Sequence, residues 1–204
     1  MAEITASDIR KLREITGAGM SDVKKALVEA DGDMAQAQQA LREKGLAGVA
    51  KRGGREATNG LVHSYLHRTN PDLPPTIGVL VEVNCETDFV AKNENFQTLA
   101  RELALHIASA DPLYVSKDQV PIEVIEAERK IYEAAAREEG KPEAALGKIV
   151  DGRINGYYKA VCLLEQPFVK DGKKSIQVLI DEAGDLLKEK IAVGRFARYK
   201  VGQA

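Results

Sequence analysis

Apolar positions alternate with polar ones over 61–67 and again over 77–83, and this period of two predicts two strands that are each buried on one face. The prolines in 70–75 interrupt the pattern, so the two strands are expected to form a hairpin. Apolar residues then recur every three or four positions over 96–107, which predicts a helix after the second strand. The acidic corner between strand and helix, 84–93, carries a single aromatic ring.

The amino-terminal quarter of the chain shows three short helical patterns and no strand pattern. Gly17 is expected to end the first helix, the turn 31–33 precedes the third, and Gly45 is expected to end the third. Residues 1–50 are therefore expected to form a three-helix domain. The basic, glycine-containing stretch within 51–59 is expected to be a linker.

The second half of the chain is predicted to be mainly helical. Patterns over 122–139 and 142–164 predict an antiparallel helix pair, a further helix is expected over 175–189, and 191–201 is expected to be a last strand. The expected fold class is α+β, with residues 60–204 forming a core of a small three-stranded antiparallel sheet packed with helices and the helix pair. The residues expected on one side of the last strand are Ile191, Val193, Ala197, Tyr199 and Val201.

Charge and composition restrict the classes of function. The 204 residues carry 29 Lys plus Arg and 31 Asp plus Glu, and this balance argues against nucleic acid as the main ligand because polyanion binding normally shows as a basic excess. Cys85 and Cys162 stand among apolar neighbours, which predicts buried thiols in a reducing compartment. No leader pattern and no apolar run of roughly 18 residues is present, so we expect a cytoplasmic protein.

No set of residues suited to enzyme chemistry stands out. Glu86 and Asp88 are close enough in sequence to act as an acid–base pair, but no nucleophile, metal-ligand set or phosphate loop accompanies them. The glycine corner at 17–19 lacks the Gly-Lys-Ser/Thr ending of a phosphate loop. His63 and His67 share a strand face without further metal ligands nearby. We expect neither an enzyme nor a cofactor.

Two positions have two interpretations each. Thr87 or Asp88 suits the cap of a helix, with Phe89 or Val90 packed beneath it, and residue type alone favours this structural interpretation. The alternative is that the Phe89 ring points outward to a partner. Met20 either fills the gap between the first two helices or lies exposed as an adaptable contact.

The corner string, Asn84-Cys85-Glu86-Thr87-Asp88-Phe89-Val90-Ala91-Lys92-Asn93, closely resembles the signature of the elongation factor Ts family. These are bacterial nucleotide-exchange factors for the translational GTPase elongation factor Tu. The resemblance extends over nearly the whole chain, and the amino-terminal part also resembles ubiquitin-associated (UBA-like) three-helix domains. The other strings that carry the resemblance are Leu12-Arg13-Glu14-Ile15-Thr16-Gly17-Ala18-Gly19-Met20, Gly140-Lys141-Pro142, Gly152-Arg153 and Leu163-Leu164-Glu165-Gln166-Pro167-Phe168-Val169.

The resemblance implies a guanine nucleotide exchange factor that binds elongation factor Tu with GDP, disturbs its Mg²⁺ and phosphate site and promotes GDP release so that GTP can bind. Asp88 and Phe89 are then expected to enter the GTPase domain, with the ring between two helices near the Mg²⁺. His106 is expected to touch a more distal domain. The expected contacts of the corner are Thr87, Asp88, Phe89 and Val90. The expected contacts of the amino-terminal module, beside the nucleotide pocket, are Leu12, Arg13, Met20 and Val23.

The core pattern occurs once, whereas longer members of the family carry two related core modules. The chain resembles the short form of the family, which assembles as a homodimer, so a complex of two chains with two GTPases is expected. A sheet with apolar residues on both faces agrees with a dimer. The alternative is a UBA-like adaptor or scaffold that binds a partner without exchange activity, and an RNA-binding factor is disfavoured by the charge.

Overall fold

Helices and short sheets alternate along residues 4–16, 18–70 and 72–203, the part of the chain that this computed structural model describes. Gly17, which was expected to end the first helix, lies outside these residues. The α-helices of the described residues are α1 (Ala6–Thr16), α2 (Met20–Glu29), α3 (Met34–Gly53), α4 (Asp88–Ala91), α5 (Glu94–Ala110), α6 (Ile122–Glu138), α7 (Glu143–Val161) and α8 (Ile176–Leu187). The strands are β1 (Asn59–His67), β2 (Ile77–Cys85), β3 (Pro167–Phe168), β4 (Asp171–Ser175) and β5 (Ala192–Lys200).

The strands form two sheets. One has the order β1-β2-β5, and the connection between β1 and β2 is too short for a parallel crossover, so these strands form the predicted antiparallel hairpin. The other sheet is the antiparallel pair β3-β4, which the sequence did not predict. The α+β fold class is confirmed.

The chain divides into two compact units, and neither unit is one continuous stretch. Unit 1 contains the amino-terminal helices and the corner, and its segments are Met1–Leu61, Val83–Leu99 and Val178–Ala192. Unit 2 contains most of the larger sheet and the helix pair, and its segments are Val62–Glu82, Ala100–Gln177 and Val193–Ala204. The linear domain boundaries expected from the sequence stay a prediction.

In unit 1, the first three helices form the predicted UBA-like module. Thr5 and Asp8 form a capping box at the start of α1, since Asp8 N donates to Thr5 Oγ1 at 3.2 Å and Thr5 N donates to Asp8 Oδ2 at 3.0 Å. Asp33 caps α3 by accepting from Ala35 N and Gln36 N. The buried side chains that the three helices share are Leu12, Val23, Ala26, Leu27, Ala30, Ala37 and Leu41.

The third helix is longer than predicted, because Gly45 does not end it and α3 continues to Gly53. A Cβ atom at Gly45 would lie 3.0 Å from Asp185 Oδ2, and one at Gly48 would lie 3.0 Å from Asp185 Oδ1. The Arg52 guanidinium pairs with Asp185 at 2.7 Å. These glycines therefore let α3 approach α8 closely, and the first residues of the expected linker belong to the helix.

In unit 2, α6 and α7 form the predicted antiparallel pair. Arg137 near the end of α6 pairs with Glu143 at the start of α7 at 3.0 Å, and Arg129 pairs with Asp151 further along at 2.7 Å. The two helices enclose an apolar cluster whose buried members are Val120, Ile125, Val150, Ile154 and Cys162. Because α6 and α7 run in opposite directions, both ion pairs join the two helices across their shared interface.

The last strand is confirmed as β5, but the predicted distribution of its side chains is wrong in part. Val193 is buried, whereas Tyr199 and Val201 are exposed. The neighbours Gly194 and Arg195 are both exposed, so the alternation shifts by one residue, as it does at a β-bulge. The apolar residues at the end of the chain therefore face solvent.

Within unit 2, one face of the larger sheet carries exposed apolar side chains beside the Arg195–Glu82 ion pair. We call it the outer sheet face, and its members are Val62, Leu66, Leu80, Tyr199 and Val201. A Cβ atom at Gly78 would lie 3.4 Å from Leu66 Cδ2, which places β1 beside β2 on this face. Arg195 Nε donates to Glu82 Oε2 at 2.8 Å, which places β5 on the other side of β2.

Two helical glycines have opposite surroundings and are expected to respond oppositely to alanine. A Cβ atom at Gly152 in α7 would meet no atom within 4 Å, whereas one at Gly184 in α8 would lie 3.0 Å from the Glu189 carbonyl oxygen. Gly152→Ala should raise the free energy of unfolding by about 0.5–1 kcal/mol, because alanine loses less backbone entropy in a helix. Gly184→Ala should lower it, because a backbone oxygen must move. Urea unfolding of both variants measures the difference, and stabilisation by Gly184→Ala would contradict the packing.

Candidate functional site

The corner between β2 and α5 is built by a very short helix. Thr87 caps α4 (Asp88–Ala91), and its Oγ1 accepts from Val90 N at 3.4 Å, so the predicted cap is confirmed. Of the two side chains that could pack beneath the cap, Val90 is half-buried and Phe89 is 79% exposed. The corner therefore presents a phenyl ring to solvent.

Lys92 is close to both outward-facing groups of the corner. Its Nζ donates to Asp88 Oδ2 at 2.6 Å and lies 5.8 Å from the centre of the Phe89 ring. The hydrogen bond from Lys92 lowers the pKa of the Asp88 carboxyl, so this group stays ionised at neutral pH. The corner thus displays a carboxylate and a ring with one ammonium beside both.

The base of the corner is held by a contact within it and by residues that precede and follow it in the sequence. The Cys85 thiol donates to the Thr87 carbonyl at 3.1 Å, and burial, followed by the charge of Glu189, raises the pKa of that thiol. Glu86 does not pair with Asp88. Its pKa is lowered by the backbone N–H of Lys190 and then by Arg55, so it is an ionised hydrogen-bond acceptor and not half of an acid–base pair.

The amino-terminal residues expected to contact a partner fall into two groups. Leu12 and Val23 are fully buried in the core of the module, and so they build it without offering a surface. Arg13 is exposed, and Met20 is 56% exposed instead of filling a gap between helices. Both line a shallow pocket of about 200 Å³, whose other lining residues are Ala6, Ile9 and Arg10. Of the four expected contact residues, Arg13 and Met20 are therefore the ones exposed on the surface of the module.

His106 belongs to unit 2 and is fully buried there. Its Nε2 lies 3.0 Å from Gln166 Oε1, and its Nδ1 accepts from Val169 N at 3.3 Å. Burial lowers the pKa of the imidazole, which fits a neutral ring with the proton on Nε2. His106 has no exposed surface in a single copy of the chain. Its expected contact with a distal domain of the GTPase stays a prediction.

Sequence reasoning missed the side chains that hold the corner from distant parts of unit 1. Arg55 and Asn59 follow α3, and Glu189 and Lys190 follow α8; each forms a hydrogen bond with Glu86 or Thr87. No local pattern separates these residues from the many other polar residues at helix ends. Only the folded chain brings them to the corner.

The described ranges lack two other kinds of site. Among residues 4–16, 18–70 and 72–203, no group of three or more His, Cys, Asp or Glu side chains could hold a metal ion. No helix in those same ranges is long and apolar enough to cross a membrane. Cys85 and Cys162 are buried free thiols, as expected.

Comparison with known proteins relates the whole chain to one family. Residues 2–203 match the family model described as elongation factor TS. A protein from Frankia alni named elongation factor Ts is 69% identical over 204 residues, which cover 100% of both chains. Proteins of the same name from Geobacter sulfurreducens and Moorella thermoacetica are 51% and 52% identical over 200 residues, 98% of this chain and 90% and 96% of theirs.

Removing the Lys92 ammonium should change the titration of the corner. Lys92→Gln is expected to raise the Asp88 pKa towards its ordinary value of 3.8, because the hydrogen bond that lowers it is lost. Carbon-13 NMR titration of the side-chain carboxyls measures this directly. Lys44→Gln is the matched control, since Lys44 pairs with Asp22 at the same 2.6 Å and should shift only that carboxyl. An unchanged Asp88 pKa in Lys92→Gln would contradict the pairing.

Proposed function

The chain belongs to the elongation factor Ts family, and we infer from this that it is a guanine nucleotide exchange factor for elongation factor Tu in translation elongation. The observation that carries its mode of action is the exposed Phe89 ring at the corner that bears the family signature. An exposed ring next to an ionised carboxylate is suited to entering a partner. The cytoplasm, where elongation factor Tu works, is the proposed location.

We propose that Asp88 and Phe89 enter the GTPase domain and displace the surroundings of its Mg²⁺. Mg²⁺ requires near-octahedral geometry and bridges the nucleotide phosphates to the GTPase, so a small displacement weakens GDP binding. Exchange factor and GDP then bind antagonistically, and this coupling is reciprocal. The chain itself forms and breaks no covalent bond in such a mechanism.

We propose that the amino-terminal module contributes to the acceleration of GDP release together with the corner. Burial of one phenyl ring yields roughly 1.5–3 kcal/mol, or about one to two decades in an equilibrium constant. A large acceleration therefore needs further contacts beyond Phe89. Arg13 and Met20, which line the shallow pocket beside α1, are the exposed members of the module suited to supply them.

Phe89→Ala should slow GDP release and leave the fold intact. The ring is exposed, so its removal costs little stability, while the loss of its burial in the partner should reduce the acceleration by about tenfold to a hundredfold. Stopped-flow release of a fluorescent GDP analogue from elongation factor Tu measures the rate, and thermal melting checks the fold. Ile122→Ala, another exposed apolar residue, is the control and should match the wild type.

The same measurement separates exchange from the alternative functions. An adaptor would bind elongation factor Tu without accelerating release of the GDP analogue. An RNA-binding factor would instead bind RNA with a steep dependence on salt. A Phe89→Ala release rate equal to that of the wild type would remove the ring from the mechanism.

We further propose that the chain works as a homodimer whose interface is the outer sheet face. This face presents apolar side chains from all three strands of the sheet and is exposed in a single copy. A second copy offers the same apolar surface, so two such faces are complementary under a two-fold axis. Two dimerised chains would then engage two GTPases in a 2:2 complex.

Leu80→Asp tests the dimer, because a carboxylate at the centre of an apolar interface loses its hydration. Sedimentation equilibrium at micromolar concentration should show a dimer for the wild type and a monomer for Leu80→Asp. Leu113→Asp is the matched control, since Leu113 is an exposed leucine of unit 2 outside the outer sheet face. A monomeric wild type would contradict the proposal.

A further inference from the structure

The two residues before the exposed tip of the corner are held by a carboxylate from beyond α8. Glu189 Oε2 accepts from Glu86 N at 2.9 Å and from Thr87 N at 3.1 Å. Glu189 Oε1 accepts from Thr87 Oγ1 at 2.6 Å. One ionised side chain thus satisfies two backbone donors and the hydroxyl of the residue that caps α4.

The contact is reciprocal. Glu86 Oε1 accepts from Lys190 N at 2.6 Å and from the Arg55 guanidinium at 3.2 Å. Lys190 Nζ in turn donates to the carbonyl oxygens of Gly53 at 2.8 Å and Arg55 at 2.7 Å. We call Glu86, Glu189 and Lys190 the carboxylate clasp. It joins the corner to the end of α3 and to the segment after α8.

The helix of the corner contributes little of its own to fixing its direction. α4 is only four residues long and contains no buried residue, and an isolated helix of that length is unstable in water. Hydrogen bonds to ionised carboxylates are stronger and more directional than those between neutral groups. The clasp, together with the Thr87 cap that Glu189 holds, therefore contributes strongly to the direction in which Phe89 projects.

We propose that Glu189 is a positioning residue for nucleotide exchange, which holds the corner rigid so that Phe89 displaces groups of the partner instead of yielding to them. This inference rests on the proposed exchange function and adds a residue outside the corner string to it. A mobile corner would still reach its binding place, but part of the binding energy would be used to order the chain. Because the clasp forms when the chain folds, the corner is already ordered before it binds.

Glu189→Gln keeps the size of the side chain but removes its negative charge and replaces one carboxylate oxygen by an amide NH2, which cannot accept a hydrogen bond. We expect the maximal rate of GDP release at saturating factor to fall about tenfold, with a smaller change in the half-saturating concentration. A residue that only supplied binding surface would change the half-saturating concentration instead. Stopped-flow release of the fluorescent GDP analogue from elongation factor Tu, over a range of factor concentrations, gives both quantities.

Glu139→Gln is the matched control. Glu139 in unit 2 also accepts hydrogen bonds at 2.8 Å through both carboxylate oxygens, from Arg153, and should leave both quantities unchanged. If Glu189→Gln melts below the assay temperature, Glu86→Gln replaces it, because it weakens the other half of the clasp and carries the same expectation. Either variant with the wild-type maximal rate would overturn the inference.

A second readout is independent of exchange. The chain contains no tryptophan, so Phe89→Trp places a single fluorescent reporter at the tip of the corner. Its time-resolved anisotropy should show faster and wider local motion when Glu189→Gln is added, and unchanged motion when Glu139→Gln is added. Unchanged motion with Glu189→Gln overturns the inference. Failure of the wild type to accelerate GDP release would overturn the proposed function while this anisotropy result still decides whether the clasp orders the corner.

Discussion

The exposure of Phe89 depends on hydrogen bonds and not on apolar packing. A phenyl ring in water gains by turning inward, and a short chain segment without buried residues would be free to let it do so. Glu189 accepts from Glu86 N and Thr87 N, the Thr87 cap accepts from Val90 N, and Glu86 accepts from Lys190 N, so hydrogen bonds hold the segment at its base. An inward turn would break the hydrogen bonds that Glu86 N and Thr87 N donate to Glu189, and hydrogen bonds to a charged group contribute more than those between neutral groups. Polar chemistry thus keeps an apolar group outside.

Within unit 1, contacts with α8 stabilise the amino-terminal module, whose own core is small. The three amino-terminal helices bury mainly small and medium side chains, so the module alone has modest stability. Close approach of α3 to α8 at Gly45 and Gly48, together with the Arg52–Asp185 ion pair, adds contacts that the module lacks by itself. The surface formed by Arg13 and Met20 and the corner with Phe89 both belong to this unit.

Local periodicity was sufficient for most helices and for the strands of the larger sheet, but it missed the β3-β4 pair and the contacts between distant segments. The alternation in β2 and the spacing in α5 identified their buried faces, and Thr87 was one of two candidate caps, because each signal lies within a few neighbouring residues. Gly45 was mistaken for a helix end. A glycine is needed there because α3 lies close to Asp185, and Asp185 is far away in the sequence. Leu12 and Val23 came from the family resemblance as contact residues; both are buried in the core of the module, and their contact with a partner stays a prediction. Glu189 was missed altogether, since a carboxylate after a helix looks the same in sequence whether or not it has partners.

The outer sheet face also affects how a single copy of the chain behaves in solution. β1 and β5 are the edges of the sheet, so a newly made chain carries unpaired backbone groups next to exposed apolar side chains. Such surfaces can add foreign strands and aggregate. β5 carries Arg195, whose side chain is highly exposed, and Lys200, and charged residues at an edge oppose strand addition. Solubility of the single chain and the proposed self-recognition thus place opposite demands on neighbouring residues of one strand.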